Sequence, residues 1–104
     1  MNFRVILSPR VAEEIDAQLT FLRSEQASEA RIQNWLLGLM KRIESLEEMP
    51  RRFPVSLALS AIYKREIRSL LHLDFRVYFD IDEDARQVRI LALRHGNREQ
   101  MDLK

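Results

Sequence analysis

Cysteine is missing from the 104-residue sequence, and glycine occurs only twice. Without a thiol, the chain can form neither disulfides nor thiolate metal sites, and it has no thiol nucleophile. The two glycines, Gly38 and Gly96, lie far apart, so no glycine-rich loop can hold a phosphate. This excludes a nucleotide-dependent enzyme, and we expect no cofactor. The two histidines, His72 and His95, do not have the spacing of metal ligands, so we also expect no metal.

Long apolar runs are missing as well. The first apolar stretch, residues 3–7, is followed at once by Ser8, Pro9 and Arg10, which makes it too short for a signal peptide or a membrane span. The lack of cysteine fits the reducing conditions inside a cell. We therefore expect a cytoplasmic protein that has no membrane partner.

Apolar residues make up 46% of the sequence, which is enough for one core, and we assign residues 1–104 to a single domain. The net charge is only +1, but the charges are unevenly distributed. Residues 1–50 carry 6 Lys/Arg and 8 Asp/Glu, whereas residues 51–104 carry 11 and 8. Four arginines and no acidic residue occur from Arg86 to Arg98. This stretch is either a surface for phosphates or an acidic protein partner, or an ordinary solvated strand face.

The first half of the sequence has the pattern of one strand followed by two helices. The opening residues alternate between apolar and polar, and Ser8 with Pro9 is a typical helix start. Apolar residues then recur at helical spacing along one face. Ser28 can cap a second helix, which carries large apolar residues on one face and is stopped by Pro50. We expect two antiparallel helices.

The second half has the pattern of three consecutive strands. Residues 65–71 fit a strand, residues 73–81 show the clearest period-2 alternation, and residues 88–93 fit a third strand. The short links between them predict an antiparallel meander. Segment 52–64 remains open, because it fits a strand, a short helix or a buried loop equally well.

The last strand has apolar residues on both faces. Val88, Ile90 and Ala92 should lie on one face, and Leu91 and Leu93 on the other. Such a strand is expected to be central in the sheet and covered on both sides. The helices cover one face, and a partner, segment 52–64 or the C-terminal tail covers the other. The order β-α-α-β-β-β predicts an α+β fold, a two-layer sandwich of helices on a sheet.

Several short motifs accompany this order of elements. They are ILSPR at residues 6–10 with AEEI at 12–15, LEEMP at 46–50, FRVYFDID at 75–82 and HGNR at 95–98. In this order and spacing they resemble the ParE/RelE toxins of bacterial type II toxin–antitoxin systems, over nearly the whole chain. The resemblance implies the same fold: an N-terminal strand, an antiparallel helical hairpin and a three-stranded meander.

The resemblance also implies function. It implies a toxin that a cognate antitoxin neutralises by wrapping the helical hairpin and sheet, in a homodimer or a 2:2 toxin–antitoxin assembly. The ParE branch of the family poisons DNA gyrase without known catalytic residues, whereas the RelE branch cuts messenger RNA in the ribosome. A binding module without toxicity is a third hypothesis, since one scaffold can support several functions.

A ribonuclease of this type needs a base, an acid and cations that hold the phosphate. The candidates are His95, Arg76 and Arg68, with Arg94 nearby. The resemblance is incomplete here, because the sequence lacks the tyrosine or lysine-rich tail that follows this histidine in the RelE branch. The HGNR motif fits the ParE branch better. We therefore favour a binding toxin over an enzyme, with four residues contacting the target: Arg76, Tyr78, Arg94 and Arg98.

Each candidate also has a structural interpretation. His95 fits an ordinary strand-end residue, and Arg76 could form a cross-strand ion pair with Glu66 or Asp80. Trp35 and Leu39, on the second helix, are candidates for antitoxin binding, although apolar residues at this spacing are most simply core. Within the same helix, Gly38 either allows a neighbour to approach closely or is a tolerated defect. His72 is expected to be an exposed turn residue.

Overall fold

The computed structural model describes residues 2–96, which form a four-stranded sheet with two long helices on one face and a short helix on the other. The elements in chain order are β1 (Arg4–Leu7), α1 (Pro9–Ser24), α2 (Glu29–Glu44), α3 (Leu57–Tyr63), β2 (Arg68–His72), β3 (Phe75–Asp82) and β4 (Gln87–His95). Two 3-10 turns lie between α2 and α3, at Ser45–Glu47 and Pro50–Arg52. The predicted α+β class and element order are confirmed, with α3 as an addition.

Both long helices begin at the predicted serines. The Ser8 hydroxyl accepts a hydrogen bond from the Val11 amide at 3.2 Å, and the Ser28 hydroxyl accepts one from the Arg31 amide at 3.1 Å. Each bond satisfies an amide that has no partner within the first helical turn. Of the helices in the described part of the chain, none is long and apolar enough to cross a membrane.

The strand order is β1-β4-β3-β2. Strands β2, β3 and β4 form the predicted antiparallel meander, and β1 lies beside β4 in parallel orientation, with Leu7 opposite Ile90. The prediction that β4 is central is therefore confirmed. Because β1 ends at Leu7, no other strand within residues 2–96 lies beside the part of β4 beyond Ile90 on that side.

A β-bulge interrupts the pairing of β3 with β4. Tyr78 lies opposite Ala92, whereas the next residue, Phe79, lies opposite Ile90. Leu91 is therefore an additional residue on β4, and it has no pairing partner on β3. Such an insertion reverses the alternation of side chains along the bulged strand.

The bulge changes which residues of β4 face the helices. The prediction that Ala92 shares a face with Ile90 is wrong, because the additional residue lies between them. Leu93 joins Ile90 in the core beneath the two long helices, while Ala92 packs with Tyr78 and Leu59 on the other face. Period-2 reasoning fails at this position because it assumes an uninterrupted strand.

The main core lies between the sheet and the helices α1 and α2. Its buried members include Val11, Ile15, Leu22, Ile32, Trp35, Leu39, Ile43, Leu70, Phe75, Val77, Phe79, Val88, Ile90 and Leu93. A smaller core beneath α3 contains Leu59, Ile67, Tyr78 and Ala92. Among the described residues, segment 52–64 is therefore the one of the three expected coverings that is seen on the second face. The fully buried Leu59 contributes about 2 kcal/mol to this packing.

Candidate functional site

The three residues proposed for RNA cleavage do not converge. Arg68 lies opposite Phe79, and His95 lies opposite Phe75. These positions on β3 are four residues apart, which corresponds to about 13 Å along a strand. Arg76 lies next to Phe75 on β3, so its side chain faces the other side of the sheet. The described structure thus distributes this set over two faces and two ends of the meander.

Arg68 holds a loop against the start of β2. Its guanidinium donates hydrogen bonds to the carbonyl oxygens of Arg51 at 3.0 Å and Phe53 at 2.6 Å. It also forms an ion pair with Glu66, at 3.0 Å. The Arg68 side chain is only 13% exposed. These contacts give Arg68 a structural role in fixing the 51–53 loop.

His95 ends β4 at the surface. Its ring packs edge-on against Phe75, with ring centroids 5.0 Å apart. The following residue, Gly96, has a φ of +100° and donates its amide hydrogen to the Asp74 carbonyl at 2.7 Å. A glycine adopts this left-handed conformation without steric cost. His95 is thus held beside the β2–β3 turn, on the sheet face opposite to Arg76 and about 13 Å along the sheet from Arg68.

Two of the proposed target-binding residues do lie side by side. Arg76 on β3 is directly opposite Arg94 on β4. The Arg76 guanidinium donates to the Ser69 hydroxyl at 3.2 Å, and the Arg94 guanidinium pairs with the carboxylate of Glu14 on α1. Like charges at opposed positions of neighbouring strands repel each other, so the Glu14 carboxylate offsets part of that repulsion.

The other two proposed target-binding residues differ in their placement. Tyr78 is fully buried beneath α3, so its ring is shielded from solvent in this conformation. Arg98 lies outside the described residues, which end at Gly96. The described part of the proposed target surface therefore consists of Arg76 and Arg94.

The two residues proposed for antitoxin binding belong to the main core. Leu39 is 0% exposed and Trp35 is 8% exposed. The Trp35 ring packs edge-on against Phe75, with centroids 5.4 Å apart. Within residues 2–96, the indole N–H of Trp35 has no hydrogen-bond acceptor. Leu39 can therefore act only through packing, whereas Trp35 also borders a groove.

This groove lies between the end of α1, the start of α2 and the β2–β3 turn, and has a volume of about 610 Å³. Trp35 and His95 line it. Phe21 and Leu73, which also line it, are 55% and 68% exposed. Leu73 has a φ of +54°, a conformation that costs a non-glycine residue about 1 kcal/mol. We name this groove, which Phe21, Trp35, Leu73 and His95 line, the hairpin groove.

His72 was expected to be an exposed turn residue, but it ends β2 and packs against α2. A Cβ atom on Gly38 would lie 3.0 Å from the His72 Cε1 atom. The close-approach interpretation of this glycine is therefore confirmed. Burial lowers the pKa of His72 below its ordinary value of 6.5, the Trp35 carbonyl opposes that shift, and the charge of Arg42 adds to it.

Sequence reasoning missed the buried carboxylate of Asp80, which is 3% exposed. The Arg89 guanidinium donates two hydrogen bonds to it, at 2.8 and 3.1 Å, and Arg65 pairs with it at 3.2 Å. The hydrogen bonds and the charge of Asp80 raise the pKa of Arg89 above its ordinary value. The sequence suggests Arg76 as a partner of Asp80. Because several aspartates and arginines occur along β3 and β4, the sequence alone does not tell which of them form pairs.

Comparisons with known proteins identify the fold and the family. A family described as the ParE toxin of type II toxin–antitoxin systems, parDE, matches residues 5–100. A solved structure, the archaeal RelE–RelB complex from Pyrococcus horikoshii OT3, contains a similar chain with a TM-score of 0.55 and 18% sequence identity. The similarity covers 95% of this chain and 100% of the other, and at this identity it shows the fold alone. The comparison with curated proteins gave no match.

Proposed function

The chain belongs to the ParE toxin family of type II toxin–antitoxin systems, and we propose on this basis that it is a single-domain toxin that arrests growth by binding DNA gyrase in the cytoplasm. The observation that carries the proposal is the position of Arg76 directly opposite Arg94. The two side chains place positive charge on one face of the sheet, where Ser69 on β2 holds one guanidinium and Glu14 on α1 holds the other, and these charges can attract an acidic surface of the target.

The scattered positions of the other candidates support binding over RNA cleavage. A general base must lie within hydrogen-bond reach of the proton that it removes, and the phosphate needs cations at the same place. His95 and Arg68 are separated by about 13 Å along the sheet. The Arg68 guanidinium is also engaged by the Arg51 and Phe53 carbonyls. The ribosome-dependent ribonuclease, which is the alternative, requires these groups to move together.

The hairpin groove supports the presence of an antitoxin partner. Phe21 and Leu73 expose much of their apolar surface on it, and Trp35 lies in its lining. An amphipathic segment can bury such a groove with its own apolar side chains. The RelE–RelB structure joins a chain of this fold to a second protein, RelB. We assign the groove to a segment of the cognate antitoxin.

Co-expression tests both parts of the proposal. The chain expressed alone should arrest growth, and the small protein encoded next to it should restore growth and elute with it. Because the chain contains a single tryptophan, Trp35, binding in the hairpin groove should also shift its fluorescence. Normal growth together with a stable free monomer would contradict the proposal.

The groove assignment has a matched control. Phe21→Ser or Leu73→Ser should weaken antitoxin binding about tenfold, because each removes an exposed apolar contact. Leu57→Ser should leave binding unchanged, since Leu57 is 81% exposed on α3, on the other side of the sheet. Equal effects of the groove and control substitutions would show that the antitoxin binds elsewhere.

A further inference from the structure

The lining of the hairpin groove contains a buried hydrogen-bond donor without an acceptor. Trp35 lines the groove from α2 and is only 8% exposed. Within residues 2–96, its indole Nε1–H has no hydrogen-bond partner. A buried N–H group without an acceptor costs free energy comparable to that of a lost hydrogen bond. An occupant that brings an oxygen to this atom therefore forms a hydrogen bond that the free chain lacks.

Positive charge lies next to this donor. Arg31 also lines the groove and precedes Trp35 by four residues on α2. Residues four apart on a helix are neighbours on one face, with Cβ atoms about 5–6 Å apart. Ser28, the N-cap of α2, lies in the lining as well, so the groove meets the partly positive end of this helix. Arg31 is exposed, and its charge is therefore accessible to a partner.

The opposite side of the groove carries the other sign. Asp74 lines it from the β2–β3 turn and is exposed to solvent. Glu29, in the first turn of α2, does not line the groove. Because like charges repel, Asp74 disfavours an acidic group at the turn, whereas Arg31 favours one beside α2. The groove thus distinguishes two sides by charge.

We propose that the antitoxin inserts one acidic side chain, an aspartate or a glutamate, into the hairpin groove beside α2. Its carboxylate accepts the Trp35 Nε1–H hydrogen bond and pairs with Arg31. This inference rests on the proposed function, in which a segment of the cognate antitoxin occupies the groove. A neutral carbonyl oxygen would satisfy the indole but would leave Arg31 and the end of α2 without a countercharge.

The acid enters as lining side chains turn aside. The Trp35 nitrogen is closed to solvent in the free chain. Phe21 and Leu73, on the same groove, are 55% and 68% exposed, and exposed side chains change rotamer within nanoseconds. Their apolar surface then packs on the apolar neighbours of the acid in the antitoxin segment. Water is excluded from the carboxylate, which strengthens its charge-assisted hydrogen bonds.

The Trp35 indole proton reports on this contact directly. The chain contains one tryptophan, so its indole N–H gives a single signal in a nitrogen–proton NMR spectrum. The probe is the purified small protein encoded next to this chain. Its addition should move the indole proton signal downfield, because a hydrogen bond to a carboxylate deshields the proton.

Arg31→Gln tests the ion pair. It should weaken binding of the same probe about three- to tenfold, the loss of one charge-assisted contact, and should make binding less sensitive to salt. Arg23→Gln is the matched control, because Arg23 is an exposed arginine in the last turn of α1 that does not line the groove. Its affinity should equal that of wild type. Both variants should keep the wild-type melting temperature, since both positions are exposed.

Substitutions in the probe identify the acid. Each aspartate or glutamate of the small protein is replaced in turn by its amide. One replacement should weaken binding to the wild-type chain and abolish the downfield shift of the indole proton. The same replacement should cost less against Arg31→Gln, because the two charges act on each other.

The outcomes separate this inference from the proposed function. If Phe21→Ser and Leu73→Ser weaken binding while Arg31→Gln binds as wild type does, the acidic side chain is overturned and the groove remains the antitoxin site. An indole signal that no acidic replacement changes has the same meaning. If substitutions at Phe21, Leu73 and Arg31 all leave binding unchanged, the antitoxin binds elsewhere. A neighbouring protein that does not bind at all contradicts the proposed partner, and this inference with it.

Discussion

His72 and Gly38 show how two single residues join a helix to a sheet edge. The His72 ring lies against the backbone of α2 at a position where only glycine leaves space. The ring is partly removed from water, and within residues 2–96 its buried Nε2 atom has no hydrogen-bond partner. Both facts make the neutral imidazole the form that fits the folded chain.

Acid should therefore destabilise the protein through His72. Its pKa in the folded chain lies below the ordinary 6.5, so above that pH the imidazole is neutral in both the folded and unfolded states. As the pH falls below 6.5, the unfolded chain takes up a proton first, and the free energy of unfolding decreases. Melting temperatures measured from pH 8 to pH 5 should show this decrease, and His72→Gln should reduce it.

The only other histidine provides the control for this measurement. His95→Gln changes an exposed ring at the end of β4, and the acid sensitivity of the melting temperature should fall more in His72→Gln than in this variant. The Arg42 guanidinium is the charged group that acts on His72 from α2. If His72→Gln keeps the full acid sensitivity, another group is responsible.

Gly38→Ala should destabilise the protein by roughly 1 kcal/mol. Alanine gains up to about 1 kcal/mol in helix propensity, but a Cβ atom 3.0 Å from His72 Cε1 overpacks the contact, at a cost of about 1–3 kcal/mol. In a His72→Ala background the same substitution should become stabilising. Urea unfolding of the four proteins measures this, and stabilisation by Gly38→Ala in the wild-type background would show that the ring moves aside freely.

At the level of elements, the caps and periodicities of the sequence predict most of the fold. Ser8 and Ser28 cap the long helices through hydrogen bonds that depend on local sequence alone. The residues of segment 52–64 have no single clear apolar period, so tertiary contacts decide its structure. The bulge at Leu91 could not be predicted, since it depends on pairing with another strand.

Asp80 connects three elements, and its loss should be costly. Its buried carboxylate joins β3 to Arg89 on β4 and to Arg65, which follows α3. Asp80→Asn leaves the two arginines without their negative partner, and we expect a loss of about 2–3 kcal/mol, because both arginines are partly exposed. Chemical unfolding measures the loss. Asp82→Asn is the control, since Asp82 lies 3.9 Å from Arg89 and is more exposed. Equal losses would contradict a special role for Asp80.

The candidate site was less accessible to prediction than the fold. The sequence identifies the arginines of the meander as candidate site residues, but strand order and side-chain direction decide which of them lie next to each other. Arg76 and Arg94 meet because β3 pairs with β4 in this register, whereas Arg68 turns to the carbonyls of a loop. The contact of Glu14 with β4 spans 79 residues of sequence, so no local pattern contains it.

At the scale of the whole molecule, the proposed surfaces belong to different parts of the fold. The hairpin groove lies at the ends of α1 and α2 beside the β2–β3 turn. Arg76 and Arg94 lie on the neighbouring strands β3 and β4, and Arg94 pairs with Glu14 on α1. Substitutions in the groove should therefore affect antitoxin binding first, and substitutions at the arginines should affect the target first.

The central claim is that this toxin acts by binding gyrase and not by cutting RNA. The most direct test follows gyrase supercoiling and messenger RNA integrity together after induction of wild type and of His95→Ala. We expect inhibited supercoiling and intact RNA with both proteins, because His95 packs on Phe75, on the sheet face opposite to Arg76 and about 13 Å along the sheet from Arg68. A general base contributes about 10²- to 10⁴-fold to cleavage. Rapid RNA cleavage by wild type that disappears in His95→Ala would contradict the claim.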